Sequence, residues 1–590
     1  MTGDQLTLFA ILVCVFALLI WGRWRYDLVA FVALLATLLT GIVPVEQAFS
    51  GFGHPAVVII ALVLIVSRGL SNSGAIELIA RFVVSETRKL SSHIGIMATV
   101  AASLSAVMNN VAALAMLMPV DMQAAAKANR SPALSLMPLS FASILGGMIT
   151  LIGTPPNIVI AEFRNDALGA SYSMFDFAPV GLACAAVGVA YVALIGWRLL
   201  PAATSETDTG KEAFDLADYI AELKVSEDSP AIGKRVRDLD ELAEKSNVEI
   251  LGLVRGGERM PGFARVVEVQ AGDTLVVEAH PESIEGALGS MGLEYIGAGR
   301  GLVEDEDLQM LEAVVPESSR LIGRSAGDVR LLYRDRVALV GVSRGGKRFR
   351  EHLRKLSIRA GDVLLLLGAD ERLGDATSRL GLLPLADRGH QVIQRQKVWW
   401  AVGIFAAAIV AASLGLVYLP IALGCVVAVY VLLNIVPIRD VYDSIEWPVL
   451  VLLGSMIPLG GALQSTGGTT LIADGMVSIS AGHSPVVVLT LLVVVTMTLS
   501  DVMNNVATAV ITAPIAIEIA SQLGVSPDPF LMGVAVAASC AFLTPIGHKN
   551  NTLIMGPGGY RFGDYWRMGL PLEILIIIVS VPMILWVWPF

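Results

Sequence analysis

Residues 496–509 read "TMTLSDVMNNVATA", an apolar run broken by one aspartate and two adjacent asparagines. Residues 103–119, "SLSAVMNNVAALAMLMP", carry the same break and align with 498–514, "TLSDVMNNVATAVITAP". Both runs are apolar enough to enter a bilayer, where the aspartate alone costs roughly 2.5–3.5 kcal/mol on insertion scales. Polar side chains and irregular backbone persist at that depth where they face one another, line protein or border a water-filled cavity. The two breaks therefore predict a pair of hairpins that dip into the membrane and turn back. The rest of the chain is read outward from them.

Composition supports a membrane setting. The chain is 55% hydrophobic and 16% charged, with a mean hydropathy of +0.70. Stretches of the roughly 18–20 apolar residues needed to cross a hydrocarbon core of about 30 Å lie near 4–21, 27–45, 55–72, 134–162, 176–200, 397–415, 417–437, 447–463, 530–556 and 569–588. The first has no basic leader and no small-residue cleavage site, so it reads as a retained span rather than a signal peptide. The net charge of −11 arises mostly from the segment 203–392, which holds about two-thirds of the Asp and Glu and reads as a soluble insert. No basic cluster of the kind nucleic acid requires is present. Cys14, Cys184, Cys425 and Cys540 stand singly in apolar spans, as packing residues do, and support neither a disulfide framework nor a zinc site.

The two hydrophobic halves repeat. "GGMITLIGTPPNIVIAEF" (146–163) matches "ASCAFLTPIGHKNNTLIMG" (538–556), "FDFAPVG" (175–181) matches "GDYWRMG" (563–569), and "GIVPVE" (41–46) matches "NIVPIR" (434–439). The offset stays close to 390–395 residues in every block, including the hairpins. Such duplication is the mark of many transporter chains. Lys and Arg set the orientation: with an external N-terminus, Arg23, Arg25, Arg81, Arg88, Lys89, Lys127, Arg130, Arg198, Arg395, Lys397, Arg439, Arg561 and Arg567 all fall inside. Five spans per half, an odd number, invert the second half relative to the first.

The expected architecture is thus a polytopic α-helical membrane protein of two inverted repeats. Each has five spans, a re-entrant hairpin and a broken helix, and a cytosolic α+β insert separates them. The divisions are 1–202, the first transmembrane repeat; 203–300 and 301–392, two insert modules; and 393–590, the second repeat. The insert is itself double. "VSEDSPAIGKRVRDLDELAEKSNVEILGLVRGGER" (225–259) parallels "VPESSRLIGRSAGDVRLLYRDRVALVGVSRGGKR" (315–348), and each is followed by an "AGD" turn and an apolar run. Each module resembles the TrkA-C domain, the C-terminal half of the regulator-of-potassium-conductance family. That resemblance implies either a dimerisation module or a sensor of a small molecule or ion.

The "MNN" turns and the Gly- and Pro-rich "IGTPPN" and "IGHKNN" stretches place helix ends at mid-depth in both halves. Such ends offer N–H groups to anions and carbonyls to cations. The hairpins, the "GTPPN" loop and the duplication resemble the divalent anion/sodium symporter family of the ion transporter superfamily. The paired TrkA-C-like modules point to its sulfate-permease-like branch. The resemblance covers essentially the whole chain. It implies sodium as coupling ion, held by Ser105, Asn110 and Gly153 in one half and by Ser500, Asn505 and Gly547 in the other. It implies that an anion is bound near Asn109, Thr154, Pro155, Asn157, Asn504, His548, Lys549, Asn550 and Asn551. A homodimer working by an elevator-type motion in the plasma (inner) membrane, with both termini outside, belongs to the same expectation.

This chain departs from the family at both tips, where Asn109 and Asn504 stand for serine and Val111 and Val506 for threonine, which puts dicarboxylate specificity in doubt. Asp501 has Ala106 as its counterpart. Lys549 has three readings: a partner of the substrate, a partner of Asp501 or a stand-in for a sodium ion; an Asp501–His548 pair is the alternative. Two rival functions remain, a cation/proton antiporter with Asp501 as proton carrier and a membrane-bound ligand sensor. No nucleophile–base set or metal constellation supports an enzyme. Trp399, Trp400, Trp586 and Trp588 read as interfacial belt residues.

Overall fold

The computed structural model describes residues 2–21, 24–73, 89–128, 130–200, most of 220–385, 395–479 and 484–590. The chain divides into two compact units: Met1–Ala202 with Asp387–Phe590, and Ala203–Ala386.

In the first half the helices are α1 (Gly3–Trp21), α2 (Tyr26–Leu39), α3 (Pro55–Asn72), α4 (Leu90–Ser105), α5 (Asn110–Lys127), α6 (Ala133–Gly147), α7 (Pro155–Leu168) and α8 (Ala178–Leu194). Two interruptions matter. The chain leaves helix between Ser105 and Asn110, and again between Gly147 and Pro155, so the apolar stretch 134–162 is two helices rather than one span.

The second unit holds two five-stranded antiparallel sheets. Strands β1 (Ile220–Val225), β2 (Val248–Arg255), β3 (Glu258–Arg259), β4 (Thr274–Ala279) and β5 (Leu293–Ala298) are ordered β3-β2-β4-β1-β5. Strands β6 (Leu308–Val314), β7 (Ala338–Arg344), β8 (Lys347–Phe349), β9 (Val363–Ala369) and β10 (Leu383–Pro384) are ordered β8-β7-β9-β6-β10, the same path, and helix α9 (Asp370–Leu380) precedes β10. Each sheet covers its own apolar core, one around Leu223, Leu253 and Val277 and the other around Leu311, Leu364 and Leu366. One polar joint occurs in both. Arg255 makes a two-bond clamp on Asp273, and Arg344 makes one on Asp362, with all four bonds at 2.7 Å. Burial would raise the Asp273 pKa, but the hydrogen bonds from Arg255 and from the Gln270 N–H, with the Arg255 charge, outweigh it and hold it below the usual carboxylate value.

The second half continues with α10 (Arg395–Ser413), α11 (Leu419–Leu432), α12 (Ile438–Asp443), α13 (Trp447–Ser465), α14 (Gly468–Ile479), α15 (Pro485–Val502), α16 (Asn505–Leu523), α17 (Asp528–Ser539), α18 (Lys549–Met555) and α19 (Tyr565–Val587). Here too helix is lost twice, between Val502 and Asn505 and between Ser539 and Lys549. Among the described residues five helical segments are long and apolar enough to cross a membrane: Val45–Asn72, Trp447–Ser465, Pro485–Val502, Asn505–Leu523 and Phe562–Val587.

Burial explains the layout. Nearly every residue of α6 and α17 is buried. These helices are apolar all round because neighbours enclose them, whereas a surface helix would show one stripe. Helices α4, α5, α8 and α18 pack on α6, and α15, α16 and α19 pack on α17. Arg164 at the end of α7 clamps Asp528 at the start of α17 through bonds of 2.7 and 3.2 Å. Trp399, Trp400 and Trp586 lie exposed on the body. Trp588 is the exception to the belt reading: it packs edge-on against Tyr172 at 5.3 Å, because the end of α19 meets the segment after α7.

Candidate functional site

Each hairpin tip is built the same way. Asn109 accepts the Val111 N–H at 2.8 Å and Asn504 accepts the Val506 N–H at 2.9 Å. The first asparagine of each "MNN" is therefore the N-cap of the returning helix, a position that favours Asn. Capping fixes the amide, since only the oxygen can accept. Among the described residues the side chains of Asn109 and Asn504 make hydrogen bonds only through these oxygens, and both residues are half-buried. Each tip is thus a capped helix N-terminus with an amide donor beside it, an arrangement suited to groups that only accept hydrogen bonds.

Each broken helix is sewn to its hairpin by matching bonds. Asn157 donates to the Thr150 and Gly147 carbonyls at 2.8 and 3.5 Å, and Asn551 donates to the Thr544 and Ala541 carbonyls at 3.1 and 2.9 Å. Thr150 donates to the Ala106 carbonyl, and Thr544 to that of Asp501. These asparagines satisfy backbone groups that the helix breaks would leave unpaired in a buried place. Thr154 and His548 occupy the N-cap positions of α7 and α18, with Pro155 and Lys549 following them. The Thr154 hydroxyl is buried and has no hydrogen-bond partner among the described residues.

The two halves meet at Asn110. Its amide lies 2.6 Å from the Ser105 hydroxyl and 3.3 Å from His548 Nε2, and its carbonyl accepts from Asn550 at 3.2 Å. His548 Nδ1 accepts the Asn550 N–H at 3.2 Å, which seats the ring over the start of α18. Two serines on α6 hold the loop of the other half: Ser143 accepts from Asn550 at 2.6 Å and Ser140 donates to Asn551 at 2.9 Å.

Among the expected sodium ligands, Ser105 and Asn110 touch, and Gly153 packs on the Gly147 carbonyl so closely that a Cβ would lie 2.4 Å from its oxygen. In the second half Ser500 donates to the Ala538 carbonyl at 2.5 Å, and Gly547 packs against the Ser500 carbonyl. Asn505 is buried at the start of α16. Among the described residues no group of three or more His, Cys, Asp and Glu could hold a metal ion. The side-chain oxygens of Ser105 and Asn110, 2.6 Å apart, are of the type that suits a hard cation.

Asp501 does not pair with Lys549 or His548. Its Oδ1 accepts the Leu543 N–H at 2.8 Å, and Glu573 accepts the adjacent Phe542 N–H at 3.4 Å. Lys549 instead forms an ion pair with Glu446, at the N-cap of α13, and its ammonium stands 5.9 Å from the Tyr26 ring centre. The reason is geometric: Lys549 begins α18 and points away from the hairpin, while Asp501 packs behind the break at 540–548. Ser140, Ser143, Glu446 and Glu573 are participants that sequence reasoning missed. Glu573, a lone acid in an apolar span, was the most visible of them.

A family profile described as "Citrate transporter" matches residues 16–524 and 480–589. The chain is 31% identical over 582 residues to an uncharacterized transporter of Synechocystis sp., sll0640, covering 96% of this chain and 95% of that one. It is 30% identical over 617 residues to the uncharacterized transporter YfbS of Escherichia coli, covering 100% of both. Sodium/sulfate cotransporter 1 of Chlamydomonas reinhardtii is 25% identical over 372 residues, covering 58% of this chain and 41% of that protein. The chain therefore belongs to the citrate transporter (CitMHS) family, and it is a membrane transporter rather than an enzyme.

Proposed function

We propose that this protein is a sodium-coupled symporter of a small oxyanion of the sulfate type. The observation that carries this reading is the pair of capping asparagines, Asn109 and Asn504. Their oxygens close the helices and their NH2 groups remain as donors beside two helix N-termini. An acceptor-only anion complements such a surface, and the sodium/sulfate cotransporters among its relatives agree with that chemistry. Absence of the threonine hydroxyl at Val111 and Val506 disfavours dicarboxylates. Neutral oxygens around Ser105, Asn110 and Gly153, and around Ser500, Asn505 and Gly547, would hold sodium; the ion's positive charge would offset that of the anion.

In this reading the hairpins and broken helices move together past the remaining helices in an elevator-type motion, within a homodimer. The two halves are inverted repeats, both termini face outward, and the insert is cytosolic in the plasma membrane. The matching sheets of the insert, with their paired Arg–Asp clamps, support two TrkA-C-like modules that dimerise or regulate. Uptake of labelled sulfate into proteoliposomes, driven by an inward sodium gradient, tests the proposal. A second reading, cation/proton antiport through Asp501, has one observation in its favour, the Glu573 carboxyl on the adjacent N–H. Sodium-driven proton efflux without any anion would select it.

A further inference from the structure

Helix α3 carries a single charge, Arg68, one turn before its last residue, Asn72. The side chain is exposed, and among the described residues it has no hydrogen bond or ion pair. Its neighbour fixes its depth. The Ser67 hydroxyl accepts the Asn109 N–H at 3.2 Å, so this turn of α3 lies beside the tip of the first hairpin. The tip stands at the far end of α4, a helix of 16 residues, about 24 Å from its start at about 1.5 Å per residue. An arginine that far from the hairpin's base cannot snorkel back to it. Facing hydrocarbon without a partner would be costly, and such residues turn instead to a water-filled cavity. Arg68 therefore faces water, in a space that opens next to the tip.

The second half has the same opening. "HPAVVIIALVLIVSRGLSNSG" (54–74) aligns with "WPVLVLLGSMIPLGGALQSTG" (447–467), which matches Ser67 with Gly460 and Arg68 with Gly461. Gly460 faces the returning arm of the second hairpin, its Cβ position 3.5 Å from the Val510 carbonyl oxygen, as Ser67 faces the first tip. A Cβ at Gly461 would meet nothing within 4 Å. In both halves the residue after the hairpin contact adjoins open space, and the first half alone places a cation there. We infer that Arg68 is the cationic contact of the oxyanion at the first hairpin. A guanidinium is a planar fork of donors that matches two oxygens of one oxyanion, and Asn109, bonded to the residue before it, offers an amide donor to the same space. This rests on the oxyanion reading above and deepens it: the anion's charge is met from the first half, while the second half offers glycine at the matching place.

The test is a thermal-stability titration of the full chain in detergent, with sulfate varied at constant sodium. The wild-type midpoint should rise with sulfate. Arg68→Gln should raise the half-saturating sulfate concentration at least about tenfold, as loss of a charge-assisted fork does. Its half-saturating sodium concentration, measured in chloride without sulfate, should stay at the wild-type value. Arg68→Lys, which keeps the charge but not the fork, should fall between the two. A wild-type sulfate response in Arg68→Gln overturns the inference while leaving the oxyanion reading intact, and so does a sodium response shifted as far as the sulfate one. No sulfate response in the wild-type chain overturns both. If Arg68→Gln does not fold, Arg68→Lys decides: a raised half-saturating sulfate concentration supports the contact and an unchanged one refutes it.

Discussion

Replacing Gly147 by alanine should dislodge Asn110. A Cβ at that position would stand 2.3 Å from Asn110 Oδ1, 2.9 Å from Nδ2 and 3.0 Å from Cγ, against 3.4–4 Å for ordinary contact. The amide must therefore retreat by about 1 Å, and its 2.6 Å bond with Ser105 is lost. One lost hydrogen bond contributes about 1 kcal/mol and overpacking a buried site about 1–3 kcal/mol, while alanine returns up to about 1 kcal/mol of helix propensity. The net loss is about 1–3 kcal/mol. Gly461, inside α13 with nothing within 4 Å of its Cβ position, supplies the control, and Gly461→Ala should be neutral or slightly stabilising. Thermal inactivation rates in detergent, compared at one temperature, read the difference without requiring reversibility. If Gly147→Ala is as stable as Gly461→Ala and binds sodium like the wild type, the close seating of Asn110 on α6 is wrong.

Four other outcomes are expected. Asn109→Asp and Asn504→Asp keep the capping oxygen but replace the NH2 donor with an acceptor, so stability should hold while sulfate affinity, read by ligand-induced thermal shift, falls at least about tenfold, or about 1.4 kcal/mol. Removing Asn157 or Asn551 as alanine should cost about 1–3 kcal/mol for each, seen as faster thermal inactivation, because buried carbonyls at the break lose their donor. A double-mutant cycle on Lys549 and Glu446, both partly exposed, should give a coupling of about 1 kcal/mol or less, with the charge-reversed double variant recovering most of the loss. In the insert, the Asp273 pKa is lowered, so its contribution is full above the unfolded value of about 3.9 and fades as pH falls through the folded value. Protection factors of the β4 amides in the full chain, taken relative to the intrinsic exchange rate at each pH, should therefore fall on acidification in the wild type and be low throughout in Asp273→Asn.

The hairpins were legible because two polar residues at a fixed place in an apolar run admit few explanations, and because the run occurs twice. The broken helices were legible from Gly and Pro at matched positions. The role of Asn109 and Asn504 was not: an asparagine at a tip can bind ligand or cap a helix, and only the position of the Val111 and Val506 N–H groups separates the two. Partner choice was the least legible. Asp501 and Lys549 look like a pair in sequence, yet Lys549 reaches Glu446, 103 positions away in the chain, and Asp501 meets the N–H of Leu543. The joint between halves joins residues separated by more than 400 positions, such as Ser143 with Asn550. Ser140 and Ser143 were invisible for a related reason: in an apolar helix a serine usually bonds its own backbone.

The central claim is that an inward sodium gradient drives an acceptor-only anion through this protein. Purified protein in sealed liposomes, given labelled sulfate outside with sodium or choline as the external cation, measures it directly. The account predicts uptake above the choline control that collapses when the sodium gradient is dissipated and is lost in Asn504→Asp. Sulfate uptake indifferent to sodium, or sodium flux exchanged for protons with no anion moving, would contradict it.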